Sequence, residues 1–97
     1  MLQNDQLLSA QIDDLASTMK SFTDTDTLAR FLRDLCTRGE LEAMAQRWAV
    51  AQLVDQGVPY LEIAKRTGAS TTTVTRVAQW VRRGEGGYRA ALDGSRS

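Results

Sequence analysis

Apolar residues recur at three- and four-residue intervals along this sequence, and no segment alternates apolar and polar residues over the length of a strand. The chain also has a single proline, Pro59, so little interrupts helix formation. Leu8, Ile12 and Leu15 share one face of a first helix predicted over residues 5–21. The pattern therefore predicts an all-α fold of five to six helices.

Capping residues predict where the next two helices begin. Thr23 or Asp24 can accept a hydrogen bond from the first turn of a second helix that reaches about Cys36. Residues 37–40 (Thr-Arg-Gly-Glu) form a capping box, in which threonine and glutamate satisfy each other's backbone donors. This box predicts a long third helix that extends to Gln56.

Glycines predict where helices end. Gly57 follows the third helix, and Gly68 ends a short fourth helix that has Pro59 in its first turn. A last turn or short helix over residues 88–92 precedes a tail at about 94–97, which we expect to be frayed.

Residues 59–82 carry the pattern of a helix-turn-helix. Ala64 is small enough for two crossing helices to approach each other, and Gly68 tolerates the positive φ that the turn needs. Valines at helical spacing turn one face of the second helix, residues 70–82, toward the interior.

The opposite face of that second helix is rich in hydroxyl groups. Such a run is poor for helix propensity, but threonine offers a hydroxyl for hydrogen bonds and a methyl for thymine. Five basic and no acidic residues lie within residues 65–84, which suits phosphate contact. We expect Thr71, Thr72 and Thr73 to approach bases. The other expected DNA-binding residues are Tyr60, Lys65, Arg66, Ser70, Thr75, Arg76, Gln79, Arg82 and Arg83.

Composition narrows the classes of function. The chain has no histidine and one cysteine, Cys36, so the usual zinc ligands and the commonest general base are missing. We therefore expect no metal, no cofactor and no enzymatic activity. A lone cysteine forms no internal disulfide, and neither a membrane-length apolar run nor a signal peptide is seen. These features favour a cytoplasmic protein.

Charge is unevenly spread, although the formal net charge is zero. Residues 1–45 hold eight acidic and four basic side chains, whereas residues 46–97 hold four acidic and eight basic ones. A chain of 97 residues suits a single domain with a thin core, which association with a second copy would support.

Two segments resemble the tryptophan repressor superfamily. They are Leu35-Cys-Thr-Arg-Gly-Glu-Leu-Glu-Ala-Met-Ala-Gln-Arg47 and Gly68-Ala-Ser-Thr-Thr-Thr-Val-Thr-Arg76. The Ala-Gln-Arg and Thr-Gly-Ala-Ser-Thr patterns are most similar to its YerC/YecD-type branch. The resemblance implies an intertwined homodimer, with helices over about 5–56 forming the dimer. It also implies a transcriptional regulator, usually a repressor, whose recognition helices enter successive major grooves of double-stranded DNA.

The same resemblance implies an effector pocket. Arg47 and Arg76 match two arginines that line the tryptophan pocket of the best-known member, where they could hold a carboxylate. Val77 and Trp80 replace a glycine and a serine of that pocket and add bulk where the indole would lie. We therefore do not expect tryptophan to be the effector, and no other effector is implied.

Two alternatives stay open. The helical hairpin can be a protein-interaction module that touches no nucleic acid, in which case retention on heparin or random duplex would not depend on salt. Alternatively, the protein can be a repressor gated by tryptophan or a similar metabolite, which calorimetry with tryptophan, with and without DNA, would reveal.

Overall fold

The computed structural model describes residues 2–95, with side-chain environments over residues 4–94. Over these residues the chain forms six helices and no strand, which confirms the all-α prediction. The helices are α1 (Leu2–Ser21), α2 (Thr25–Leu35), α3 (Arg38–Asp55), α4 (Tyr60–Thr67), α5 (Thr71–Arg83) and α6 (Gly87–Ser95). The chain divides into two compact units, Met1–Arg38 and Gly39–Ser97, so the expected single domain stays a prediction.

Asp24, one of the two predicted candidates, caps α2. Its carboxylate accepts a hydrogen bond from the backbone N–H of Thr27 at 3.0 Å and from the Thr27 hydroxyl at 2.6 Å. The hydroxyl bond and then the backbone bond stabilise the charged form, so the pKa of Asp24 lies below its ordinary value. At the other end, the Cys36 N–H donates to the Leu32 carbonyl.

The N-terminal unit leaves much of its apolar surface in solvent. In α1, which begins at Leu2 and so three residues before the predicted start, Leu7, Leu8 and Ile12 are each more than half exposed. The rings of Phe22 and Phe31 contact each other, with their centroids 5.3 Å apart. No side chain among residues 4–38 is fully buried, so this unit has apolar surface left to cover.

The C-terminal unit contains the hydrophobic core. Apolar side chains from α3, α4, α5 and α6 meet there, and Trp48 and Tyr88 pack against them from the edge. The buried members are Val50, Ala51, Ile63, Ala69, Val74, Val77, Val81 and Leu92. The valines of α5 therefore face inward, as their spacing predicts.

Gly57 ends α3, which stops at Asp55, one residue before the predicted end. Its φ of 80° is left-handed, and its N–H donates to the Val54 carbonyl at 3.0 Å. The next N–H, from Val58, donates to the Leu53 carbonyl at 3.1 Å. These two bonds form a Schellman motif, which satisfies carbonyls that the helix itself leaves without partners.

The last helix is longer than the sequence indicates. α6 begins one residue before the predicted segment and continues to Ser95, so residues 94 and 95 of the expected tail are helical, and the fraying of the tail stays a prediction. Arg89 donates to Asp93, one turn later, at 3.1 Å and to Asp55 of α3 at 2.9 Å. The ion pair between Arg89 and Asp55 links α6 to α3. Local sequence pattern does not predict it, because the two residues are far apart in the chain. Residues 96 and 97 of the predicted tail lie outside the described residues.

The cap of α2 makes a prediction for stability against pH. Because its folded pKa is lowered, the contribution of Asp24 is complete above the ordinary aspartate pKa of about 3.9 and is lost as the pH falls through the folded value. Asp24→Ala should therefore lower the melting temperature at neutral pH, and its difference from wild type should shrink in acid. Asp24→Asn, which keeps an acceptor oxygen without titrating, is the matched control. A difference that stays constant from about pH 7 to about pH 2 would contradict this account.

Candidate nucleic-acid interface

The first helix of the motif, α4, is short and well anchored. Pro59 immediately precedes it, one residue outside the predicted first turn, and α4 runs from Tyr60 to Thr67. Ile63 is fully buried in the core. Gly68 ends the helix with a φ of 75°, and its N–H donates to the Ala64 carbonyl at 2.9 Å. The left-handed turn predicted at Gly68 is confirmed.

The turn, residues 68–70, is held by side chains as well as by the backbone. The Thr67 hydroxyl donates to the Ile63 carbonyl at 2.7 Å and accepts from the N–H of Ala69 at 3.2 Å. Ala69 is buried, so the turn is pinned to the core between two helices. From α3, the side-chain amide of Gln46 donates to the Thr67 carbonyl at 3.3 Å. Sequence reasoning missed Gln46, because helical spacing carries no signal for a contact with a distant turn.

Ser70 caps the second helix, α5. Its hydroxyl oxygen accepts from the backbone N–H of Thr73 at 3.1 Å and donates to the Thr73 hydroxyl at 3.1 Å. Thr71 and Thr72 are exposed, whereas Thr73 is half-buried and engaged in the cap. The end of α5 that was expected to approach bases is therefore open to solvent, with Thr73 its least accessible member.

The two faces of α5 differ sharply in burial. Val74, Val77, Ala78 and Val81 are buried on the inner face. Apart from the half-buried Thr73, the residues of this helix and its cap that are predicted to bind DNA are exposed, namely Ser70, Thr71, Thr72, Thr75, Arg76, Gln79, Arg82 and Arg83. Of the predicted residues on α4, Lys65 and Arg66 are exposed, whereas Tyr60 is half-buried. The structure thus brings most of the predicted residues to the surface of one motif.

Two of the basic side chains have partners within the motif. Arg66 pairs with Glu62, one turn earlier, at 2.9 Å, and both side chains are about half exposed. Arg82 donates to the Tyr60 hydroxyl at 3.0 Å, which links the end of α5 to the start of α4. An exposed ion pair such as Arg66–Glu62 contributes at most about 1 kcal/mol, so this guanidinium group can exchange its partner at little cost.

Arg47 and Arg76, the expected effector-binding pair, line one small cavity. It has a volume of about 200 Å³, and its other lining residues are Ala43, Gln46, Thr73 and Trp80. Trp80 therefore lies at this cavity, as expected, whereas Val77 is fully buried within the core. The two guanidinium groups give the cavity a positive lining.

A larger groove lies beside that cavity. It has a volume of about 770 Å³, and we call it the aromatic groove because Trp48, Trp80 and Tyr88 line it. Arg83, Gly84, Glu85, Gly87 and Ala91 complete the lining. Trp80, which is 48% exposed, lines both spaces.

The family model described as the Trp repressor protein matches residues 10–96, which is nearly the whole chain. The chain belongs to the Trp repressor family. Its members carry a helix-turn-helix and act in transcription regulation. The fold of this family is a regulatory one and not an enzymatic one.

A curated relative places the chain in the YerC branch of that family. The uncharacterized protein YerC of Bacillus subtilis strain 168 is 38% identical over 92 residues, covering 95% of this chain and 88% of that protein. This match confirms the expected resemblance.

Solved structures confirm the Trp repressor fold. A crystal structure from Staphylococcus aureus, described there as a candidate Trp repressor, superposes with a TM-score of 0.84 at 31% identity, covering 99% of this chain and 96% of that one. The crystal structure of a TrpR-like protein from Eubacterium eligens gives a TM-score of 0.82 at 32% identity, with 92% of each chain covered.

Membrane spans and metal clusters are both missing from the part of the chain that the structure describes. None of the helices within residues 2–95 combines the length and apolar character needed to cross a bilayer. The same residues bring together no group of three or more potential metal-ligating side chains.

The left-handed geometry of the turn predicts that replacing Gly68 and replacing Gly39 by alanine will change the free energy of unfolding in opposite directions. A Cβ at Gly68 would meet only the Gln46 amide, at 3.9 Å, so the cost of Gly68→Ala is backbone strain of about 1–2 kcal/mol. A Cβ at Gly39, within α3, would have no neighbour within 4 Å, so Gly39→Ala should stabilise the protein by up to about 1 kcal/mol. Urea unfolding measures both changes. Equal effects of the two substitutions would contradict the strained geometry assigned to the turn.

Proposed function

We propose that this protein is a sequence-specific DNA-binding transcriptional regulator, acting as a repressor and as a homodimer. The observation that carries the proposal is the exposed N-terminal end of α5, where Thr71 and Thr72 face solvent while Val74 and Val77 are fully buried. A helix anchored in this way can enter a major groove with its first turn directed at the base edges.

The exposed face of α5 carries the side chains that we propose to recognise bases. Thr71 and Thr72 offer a donor, an acceptor and a methyl group in the first turn, with Thr75 one turn further along. Arg76 and Gln79 extend the same face with longer side chains that reach bases or phosphates. The positive end of the helix dipole at Ser70 adds to the attraction for the DNA backbone.

The basic side chains at the edges of the motif are those that we propose to contact phosphates. Lys65 and Arg66 lie at the end of α4, and Arg82 and Arg83 lie at the end of α5. Each is exposed, so a phosphate can replace water or a weak partner without a burial cost. The Arg82 hydrogen bond to the Tyr60 hydroxyl orients two groups that can hold one phosphate together.

A homodimer is favoured by apolar surface that one chain leaves uncovered. The N-terminal unit exposes Leu8 and Ile12, and the C-terminal unit exposes the aromatic groove around Trp80. Surfaces of this kind commonly mark association sites in small proteins with thin cores. In such a dimer the two recognition helices would contact half-sites about 10 base pairs apart, centre to centre. We place this binding in the cytoplasm.

A second candidate, gating by a small anionic metabolite, is favoured by the cavity that Arg47 and Arg76 share. Because the Trp80 side chain lies at this cavity, a bulky indole is a poor fit, and we propose that tryptophan is not the effector. Calorimetry with L-tryptophan, with and without DNA, tests this point, since a binding heat that strengthens with DNA would identify tryptophan as the effector.

The phosphate assignment predicts different effects for two matched arginines. Arg66 and Arg30 each form an exposed ion pair with an acidic residue one turn earlier, Glu62 and Asp26 respectively. Arg66→Ala should weaken binding to selected and random duplexes alike and reduce the slope of log affinity against log salt by about one. Arg30→Ala, on α2, should leave both quantities unchanged. Fluorescence anisotropy over a salt series measures them, and identical behaviour of the two variants would contradict the assignment.

The base assignment predicts a change of preference at Thr72. Thr72→Ala should alter the relative affinity of sites that differ at one base pair by roughly fivefold, because one hydrogen bond is worth about 1 kcal/mol. Alanine favours helix, so a loss of folding would not explain the change. Selection of fragments from random duplex, with wild type and variant, reads the preference. Thr72→Ser, which keeps the hydroxyl, is the matched comparison, and unaltered selection by Thr72→Ala would place the recognition surface elsewhere.

A further inference from the structure

The last carbonyl of α4 has its hydrogen-bond partner on another helix. The final carbonyls of a helix have no partner within the helix, and side chains often satisfy them. Here the Thr67 carbonyl accepts a hydrogen bond at 3.3 Å from Nε2 of Gln46, which lies 21 residues earlier on α3. The bond is partly buried, so water competes for it less than at the surface.

This bond differs in kind from the others that hold the turn. The Thr67 hydroxyl bond to Ile63, the Gly68 N–H bond to Ala64 and the Ala69 N–H bond to Thr67 all begin and end within residues 63–69. They define the local shape of the turn. The Gln46 bond instead ties that segment to α3, whose Val50 and Ala51 are fully buried.

We propose that Gln46 is a positioning residue for DNA recognition: by holding the Thr67 carbonyl against α3, it orients the turn and so the N-terminal end of α5. The inference rests on the proposed DNA-binding function. Gly68 has no side chain to restrict rotation, and Ser70 begins α5 only two residues later. An anchor immediately before Gly68 therefore limits how far the first turn of α5 can swing.

Sequence-specific and general binding should depend differently on this anchor. Hydrogen bonds from Thr71 and Thr72 to base edges require accurate placement of the first turn. Contacts from flexible basic side chains such as Lys65 and Arg83 to phosphates tolerate a small reorientation. A positioning role should therefore affect the selected site more than random duplex, whereas a general loss of folding would affect both.

The test compares two glutamines of α3. Gln46→Met removes the donor while keeping side-chain length, helix propensity and charge. Gln52→Met is the matched control, since Gln52 is half-buried on the same helix and its Nε2 donates within that helix, to the Trp48 carbonyl at 3.4 Å. Affinities for a selected duplex and for random duplex are measured by anisotropy. Amide signals of Gly68 and Ala69, followed by NMR in the same proteins, report the turn directly.

Gln46→Met should weaken binding to the selected duplex roughly three- to tenfold and binding to random duplex less than about twofold. It should also shift the Gly68 and Ala69 amide signals, and Gln52→Met should do neither. Equal losses on both duplexes, or no loss on the selected one, would overturn the positioning role. If Gln46→Met folds poorly, Gln46→Asn, whose amide is one methylene shorter, should show the same selective loss. Wild-type protein without salt-dependent DNA binding would instead reject the proposed function itself.

Discussion

The presentation of this motif depends on burial of one face of α5. Val74, Val77 and Val81 pack into the core of the C-terminal unit, and in a helix of 3.6 residues per turn this leaves Thr72, Thr75 and their neighbours in solvent. The hydroxyl-rich end is weak in helix propensity, so tertiary packing and the Ser70 cap must support it. The hydrophobic core thus decides which surface is available for recognition.

The electrostatics of the C-terminal unit follow from the same arrangement. Among the described residues no charged side chain is buried, so the basic groups of the motif carry no desolvation cost. Their partners are either another exposed residue, as for Arg66 with Glu62, or a phenol, as for Arg82 with Tyr60. A motif of this kind stays available to an anionic partner even though the chain as a whole is formally neutral.

The two units meet their need for buried apolar surface differently. The C-terminal unit buries a contiguous cluster, whereas the N-terminal unit has no fully buried side chain among residues 4–38 and leaves Leu8 and Ile12 more than half exposed. Apolar surface of that extent is costly in water. The proposed homodimer gives this surface a rationale, because a second copy of the chain would cover it.

Local sequence determined most of the features that are formed by residues close together in the chain. These are the six helices, the Asp24 and Ser70 caps and the glycine turns. These features depend on neighbours three or four positions apart, which a single sequence displays. Three contacts were decided only by the tertiary structure, because they join residues far apart in the chain. They are Gln46 with Thr67 (21 residues apart), Tyr60 with Arg82 (22 residues apart) and Asp55 with Arg89 (34 residues apart). Such pairs come into contact only when packing of the core brings separate helices together, so spacing along the chain does not predict them. The structure also leaves Thr73, which the sequence predicts to approach bases, partly buried, and it carries α6 beyond the segment 88–92 that the pattern predicts.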